Sequence, residues 1–145
     1  MAKAARQKLK RADLQELAKL RIAEAQHLMN AGSFSGAYYI AGLAIECSLK
    51  ACIARATEQF EFPDLDRAKE SWNHDLTRLL NAAGLVAEHE KRAAADVEFN
   101  ANWLIVKDWD VGSRYEKRSR AEAQSLVEAV VNTHHGVFAW IEGYW

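Results

Sequence analysis

The chain has 145 residues, half of them hydrophobic, with 19 Lys and Arg against 20 Asp and Glu, one Pro and seven Gly. A chain of this length forms one domain and buries roughly two thirds of its unfolded surface, so it needs no metal or disulfide staple. The hydrophobic fraction and balanced charge exclude disorder, and the scarcity of Pro and Gly excludes a sandwich of many tight turns, which leaves helices.

No apolar run approaches the roughly 20 residues that cross a bilayer, and the opening MAKAARQKLK is basic and polar rather than a secretory leader. A cytoplasmic protein with no membrane contact is expected. Cys47 and Cys52 fall in one predicted helix, five residues apart, where their backbones are too distant to bridge. They read as buried free thiols. Neither has a second cysteine at zinc spacing, and the adjacent His134 and His135 would point to different helix faces, so neither a metal nor a cofactor is expected.

Residues 1–12 form a basic tail. Lys3, Arg6, Lys8, Lys10 and Arg11 all precede the first acid, Asp13, leaving 14 cations against 20 acids in the remainder, a net of −6. Such a tail is either a solvated terminus or an arm that seeks phosphate. Residues 13–145 read as a single domain. A helical pattern of Leu14, Leu17, Ala18, Ala25, Leu28 and Met29 runs from Asp13 to about Ala31, and Gly32 is its C-terminal stop. Ser33 or Ser35 caps a second helix to about Gln59. Between Phe34 and Ala54 it carries only two charges, Glu46 and Lys50. Its small stripe of Ala37, Ala41, Ala44 and Ser48 lets a neighbour approach closely, which predicts the central helix of a bundle.

Pro63 breaks the periodicity and predicts a crossing loop. A short helix follows from His74 to Ala83, with Asn73 available as cap, Leu76, Leu79 and Leu80 inward, and Gly84 as the stop. A fourth helix spans about Glu88 to Val106, better buried in its second half through Val97, Phe99, Trp103, Leu104 and Val106. The stretch from Asp108 to Arg118 has no helical stripe. Ser119 and Glu122 then form a capping box for a last helix bearing Val127, Val130, Val131, His134, Val137, Phe138 and Ile141 on one side. The predicted fold is all-α, an antiparallel up-and-down bundle of about five helices.

Ionised groups in a helix as apolar as the second must be paired or hydrogen-bonded. Glu46 and Lys50, four apart, can meet on one face. They form either an intrahelical pair at a bundle edge or a polar seam in which Glu46 receives a donor from Arg114 or Tyr115. Arg114, Lys117, Arg118 and Arg120 gather in the late loop ahead of a helix N-terminus, a setting suited to phosphate, with Tyr115 or Trp109 as a surface for a base. The alternative is a solvated basic loop. His74 and Asp75 point about a hundred degrees apart and read as capping residues, while His134 reads as a core or interface histidine. His27 and His89 carry no signal. No glycine-rich phosphate loop, nucleophile elbow or paired-histidine metalloprotease motif is present. Trp140 and Tyr144 widen the apolar flank of the last helix, either as interface anchors or as closure of the bundle itself.

Taken together, Asn30-Ala-Gly-Ser-Phe-Ser-Gly-Ala-Tyr-Tyr, Ala44-Ile-Glu-Cys-Ser-Leu-Lys-Ala, His74-Asp-Leu and Arg114-Tyr115 resemble, in order and spacing, the HEPN (higher eukaryotes and prokaryotes nucleotide-binding) domain family. The resemblance spans roughly Asp13 to Trp145. It implies a helical bundle, usually dimeric, of the kind found in toxin–antitoxin, phage-defence and nucleotidyltransferase-associated systems. Active members of that family are metal-independent RNases with an Arg followed four to six residues later by His near the start of the last long helix. Here no histidine follows Arg114, Lys117, Arg118 or Arg120 in that window, the next being His134. Arg67 and His74, with six residues between them, match the spacing in a different place, the loop entering the short helix.

The expected function is therefore a homodimeric HEPN-like binding module, with no catalytic residue assigned. Its ligand would be a nucleotide, RNA or a partner protein of nucleotidyltransferase type, held through Glu46, Lys50, Arg114, Tyr115, Lys117 and Arg118. One alternative is a metal-independent ribonuclease using Arg67 as phosphate clamp and His74 as general acid–base from two subunits. Another is a structural antitoxin or adaptor subunit.

Overall fold

The computed structural model describes residues 9–58 and 65–145, side chains of 65–67 excepted. The basic tail before Leu9 and the Pro63 loop lie outside the described residues. The fold is all-α: eight α-helices and one 3₁₀ turn, with no strand among the described residues. They are α1 (Arg11–Asn30), α2 (Phe34–Glu58), α3 (Leu65–Glu70), α4 (Leu76–Ala82), α5 (Val86–Ala95), α6 (Val97–Lys107), the 3₁₀ turn Val111–Tyr115, α7 (Arg120–Val131) and α8 (Val137–Glu142).

Helix α1 starts within the expected tail, at Arg11, because the Asp13 side chain accepts the Lys10 amide at 2.8 Å and closes the first turn. Gly32 adopts φ +77°, the left-handed conformation that releases the chain into α2. The three-residue connection makes an antiparallel hairpin, closed at its far end by Arg11 and Glu58 at 3.7 Å. Ala18 and Ala25 of α1 are fully buried, as are Ala37, Ala41, Ala44 and Ser48 of α2, so the two axes lie close. The Ser48 hydroxyl is satisfied by the Ala44 carbonyl at 2.7 Å. Around α2 pack α1, α4, α7, α8 and the 3₁₀ turn, confirming it as the central helix. Contrary to the reading of its sequence, α2 is long and apolar enough to cross a membrane, the one such helix among the described residues; 67% of its apolar window is buried inside the bundle.

Two predicted helices are broken in the structure. The fourth divides at Asp96, whose backbone is extended (φ −136°, ψ 97°) and whose side chain caps α6 by accepting the Phe99 amide at 2.9 Å. The last divides at Asn132–Gly136. There the Asn132 side chain accepts the amides of His134 and His135, and a Cβ on Gly136 would lie 2.2 Å from the Asn132 carbonyl oxygen. His134 is consequently exposed in a turn, not seated on an apolar stripe. A further helix, α3, forms where only a loop is predicted. Trp140 and Tyr144 close the monomer's own core, Trp140 packing against Phe99, His89 and Tyr144.

The two breaks meet. His135 donates through Nδ1 to the Asp96 carboxylate at 2.9 Å, and Arg92 donates to both Asp96, at 3.0 Å, and the His134 carbonyl, at 2.8 Å. The Phe99 amide, then His135 and Arg92, pull the Asp96 carboxyl down to about 2. Because the folded pKa lies below the ordinary 3.8, the ionised acid stabilises the native state above that value, and its contribution is lost as pH falls toward 2. We expect Asp96→Asn to unfold at lower urea than the native chain at pH 6, with the gap closing between about pH 4 and about pH 2. A gap independent of pH would show that the carboxylate charge plays no part.

Candidate functional site

Along one side of α2 the polar side chains fall into two groups. The first surrounds Glu46, whose side chain is only 7% exposed. One of its oxygens, Oε1, accepts from Lys50 Nζ at 2.9 Å, one helical turn on, and lies 2.8 Å from His74 Nδ1. Its other oxygen, Oε2, is buried without a hydrogen-bond partner. An ionised Glu46 can only accept, so Nδ1 of the half-exposed His74 carries the proton and donates it. Lys50 is also partly exposed and keeps two ammonium protons for other acceptors. A buried acid thus holds the nitrogen groups of two solvent-accessible side chains side by side.

His74 reaches this position through the segment between α3 and α4. Asp75, not Asn73, caps α4 by accepting the Arg78 amide at 3.0 Å, and Asn73 accepts the Asp75 amide at 2.7 Å. Arg78 binds Glu70 through two nitrogens, at 3.0 and 2.8 Å, and so staples α3 to α4. Trp72 lies two residues before His74 with 82% of its surface exposed.

The second group is the late loop, and it is separate from the first. The Arg118 amide donates to Ser35 Oγ at 2.8 Å, and its guanidinium lies 4.2 Å from the Tyr38 ring centre while pairing with Glu116. The loop is therefore pinned to the first turns of α2, about 12 to 16 Å along the axis from Glu46. Burial pushes the Tyr38 hydroxyl up despite the nearby guanidinium. The expected donors to Glu46, Arg114 and Tyr115, do not reach it. Both are exposed, with Arg114 stacked 4.8 Å from its neighbour's ring. Lys117 and Arg120 are likewise exposed.

Trp109 is no surface for a base: it is 1% exposed, set against Gly42 and stacked on Tyr39 with ring centres 6.1 Å apart. Its indole packs on α2 at Gly42, between the first turns that hold the loop and the turn that carries Glu46. Of the six residues expected to bind ligand, the structure brings together Glu46 and Lys50, and adds His74. The side chain of Arg67, the other half of the displaced pair, lies outside the described residues.

The sequence marked His74 as a helix-start residue and, with Arg67, as an alternative catalytic pair, but not as a partner of Glu46, which is 28 positions earlier with no short-range spacing to connect them. Trp72 did leave a signal, a single aromatic in the polar run Lys69-Glu-Ser-Trp-Asn-His-Asp. His89 sits among the rings of Phe99, Trp103 and Trp140, and burial lowers its pKa. Burial raises the thiol of Cys52 to about 12 and that of Cys47 in the same direction. His135 has acids on opposite ring nitrogens, Asp96 and Glu98, which do not converge on one point. No group of three or more His, Cys, Asp or Glu side chains among the described residues is placed to hold a metal. No family model, curated protein or solved structure matches the chain.

Proposed function

We propose that this chain is a cytoplasmic HEPN-type binding module that takes a phosphate-bearing ligand, a nucleotide or RNA, at the edge formed by Glu46, Lys50 and His74. One observation carries the reading: a single buried carboxylate oxygen holds both the ammonium group of a partly exposed Lys50 and the imidazole of a half-exposed His74. Charge-assisted bonds from such a pair suit phosphate oxygens, and the buried acid fixes their geometry before a ligand arrives. Arg114, Tyr115 and Lys117 form a second exposed basic corner along α2 that a longer ligand could reach.

A homodimer accompanies this reading. The outer face of α6 carries Val97, 82% exposed, with Ala101 and Leu104 at helical spacing, an apolar stripe with no cover within the monomer's described residues. A second activity is favoured by the contact between Glu46 and His74: a half-exposed imidazole whose tautomer is fixed by a carboxylate is equipped for general acid–base work, as in a metal-independent ribonuclease.

A thermal-shift screen of nucleotides and short RNAs tests the site. The expected result is stabilisation that His74→Ala and Lys50→Ala remove and Arg114→Ala only reduces. Shifts unaffected by the first two substitutions would move the site elsewhere. Cleavage of single-stranded RNA in the presence of a chelator, abolished by His74→Ala in a protein that remains folded, would select the nuclease reading.

A further inference from the structure

We infer that Trp72 is a base-stacking platform, so that the ligand of the polar edge is a single-stranded nucleic acid whose base lies on the indole and whose phosphate meets Lys50 and His74. This rests on the phosphate-binding reading above and specifies its ligand.

Among the tryptophans, Trp103, Trp109 and Trp140 are buried in the core, and Trp145 packs edge-on against Phe138. Trp72 alone stands in solvent and makes no ring contact with the described residues. An indole so placed gains nothing from burial, although its segment is well anchored. The Trp72 amide donates to the Lys69 carbonyl and the Asn73 amide to that of Glu70, at 3.3 and 3.0 Å. Beyond them, the Asn73 side chain that accepts the Asp75 amide, the Asp75 cap and the Arg78–Glu70 staple fix the approach to α4. The side chain is thus mounted on a defined backbone with 82% of its surface exposed. The other strongly exposed aromatic, Tyr115, differs because the Arg114 guanidinium already lies against its ring.

Trp72 and His74 are two residues apart, so their Cα atoms lie within about 7 Å of each other. An aromatic face accepts any base, and adjoining donors take up the flanking backbone. Stacking of this kind needs an unpaired base, because bases in a duplex are already stacked on each other. The neighbouring carboxylates are each engaged internally: Glu46 by Lys50 and His74, Glu70 by Arg78, and Asp75 by the first turn of α4. With so few cations, binding should be only weakly salt-dependent, with a logarithmic slope of about −0.7 for each phosphate contacted.

The test measures binding of a short oligouridylate, the corresponding duplex, AMP and inorganic phosphate to the full chain, by calorimetry and by tryptophan fluorescence. The oligouridylate is expected to quench the accessible tryptophan, and Trp72→Phe to remove most of that quenching while keeping affinity within a few-fold. Trp72→Ala should weaken binding by roughly 5- to 100-fold, with helicity unchanged by circular dichroism. If Trp72→Ala leaves affinity intact while His74→Gln reduces it, the stacking role fails and the phosphate site survives. Equal affinity for duplex and single strand would overturn the inference in the same way. If none of the four probes binds, the phosphate-site reading falls with it. Loss of self-association in Trp72→Ala, seen by sedimentation without any RNA binding, would assign the indole to a protein contact and overturn the inference.

Discussion

Gly42→Ala is expected to destabilise the protein by about 2–4 kcal/mol, although alanine is the better helix former. The added Cβ would lie 2.1–2.2 Å from three atoms of the Trp109 indole. No rotamer change at a methyl group relieves such an overlap, so the ring must leave its place against Tyr39 or α2 must move away. Losing the packing of a buried tryptophan costs roughly 3–5 kcal/mol, while replacing glycine within a helix returns about 1 kcal/mol. The balance remains strongly unfavourable. Gly36→Ala is the control, since its Cβ would meet Leu28 at 3.5 Å, an ordinary contact. Urea unfolding should show a lower midpoint for Gly42→Ala and an unchanged or higher one for Gly36→Ala. A Gly42→Ala protein as stable as the native chain would mean that the indole does not occupy this position. Because the same ring separates the basic loop from Glu46, the substitution should also loosen the loop.

The second large effect separates stability from function at the polar edge. Lys50→Met leaves the buried Glu46 carboxylate with His74 as its one remaining side-chain partner among the described residues, and should destabilise by about 1–3 kcal/mol. The cost falls below the roughly 3–5 kcal/mol of a fully buried pair, because Lys50 already touches water. Adding Glu46→Met removes the uncompensated charge together with its unpartnered oxygen, and should restore stability to within about 1 kcal/mol of the native chain. Binding should not return. The double variant loses both the ammonium group and the acid that orients His74, so nucleotide or RNA stabilisation should be absent in a protein that is otherwise sound. Recovery of binding in the double variant would show that Glu46 and Lys50 are a structural pair beside a site formed by other residues.

Much of the architecture was legible because it depends on contacts within four residues along the chain. Gly32 and Gly84, at φ +77° and +72°, stop helices where a left-handed residue is required, and Ser119 and Glu122 exchange backbone and side-chain bonds as their spacing dictates. The near-absence of charge from Phe34 to Ala54 correctly marked α2 as central. The breaks at Asp96 and Asn132 also left local signals, a capping acid and an Asn followed four residues later by Gly, but helix-compatible sequence on both sides concealed them. A periodic stripe shows that a segment is helical without showing whether its axis is straight.

The sequence by itself determined an all-α protein, the extent of its two longest N-terminal helices and the need of Glu46 and Lys50 for partners. Local propensity, capping and the cost of an unpaired buried charge are properties of neighbouring residues, and they operate before the chain has folded. Tertiary structure alone decided that His74, rather than Arg114 or Tyr115, answers Glu46, and that Trp109 rests on Gly42 instead of facing solvent. Many donors satisfy the same electrostatic requirement, and only the packing of α4 and the late loop against different turns of α2 selects which of them arrives.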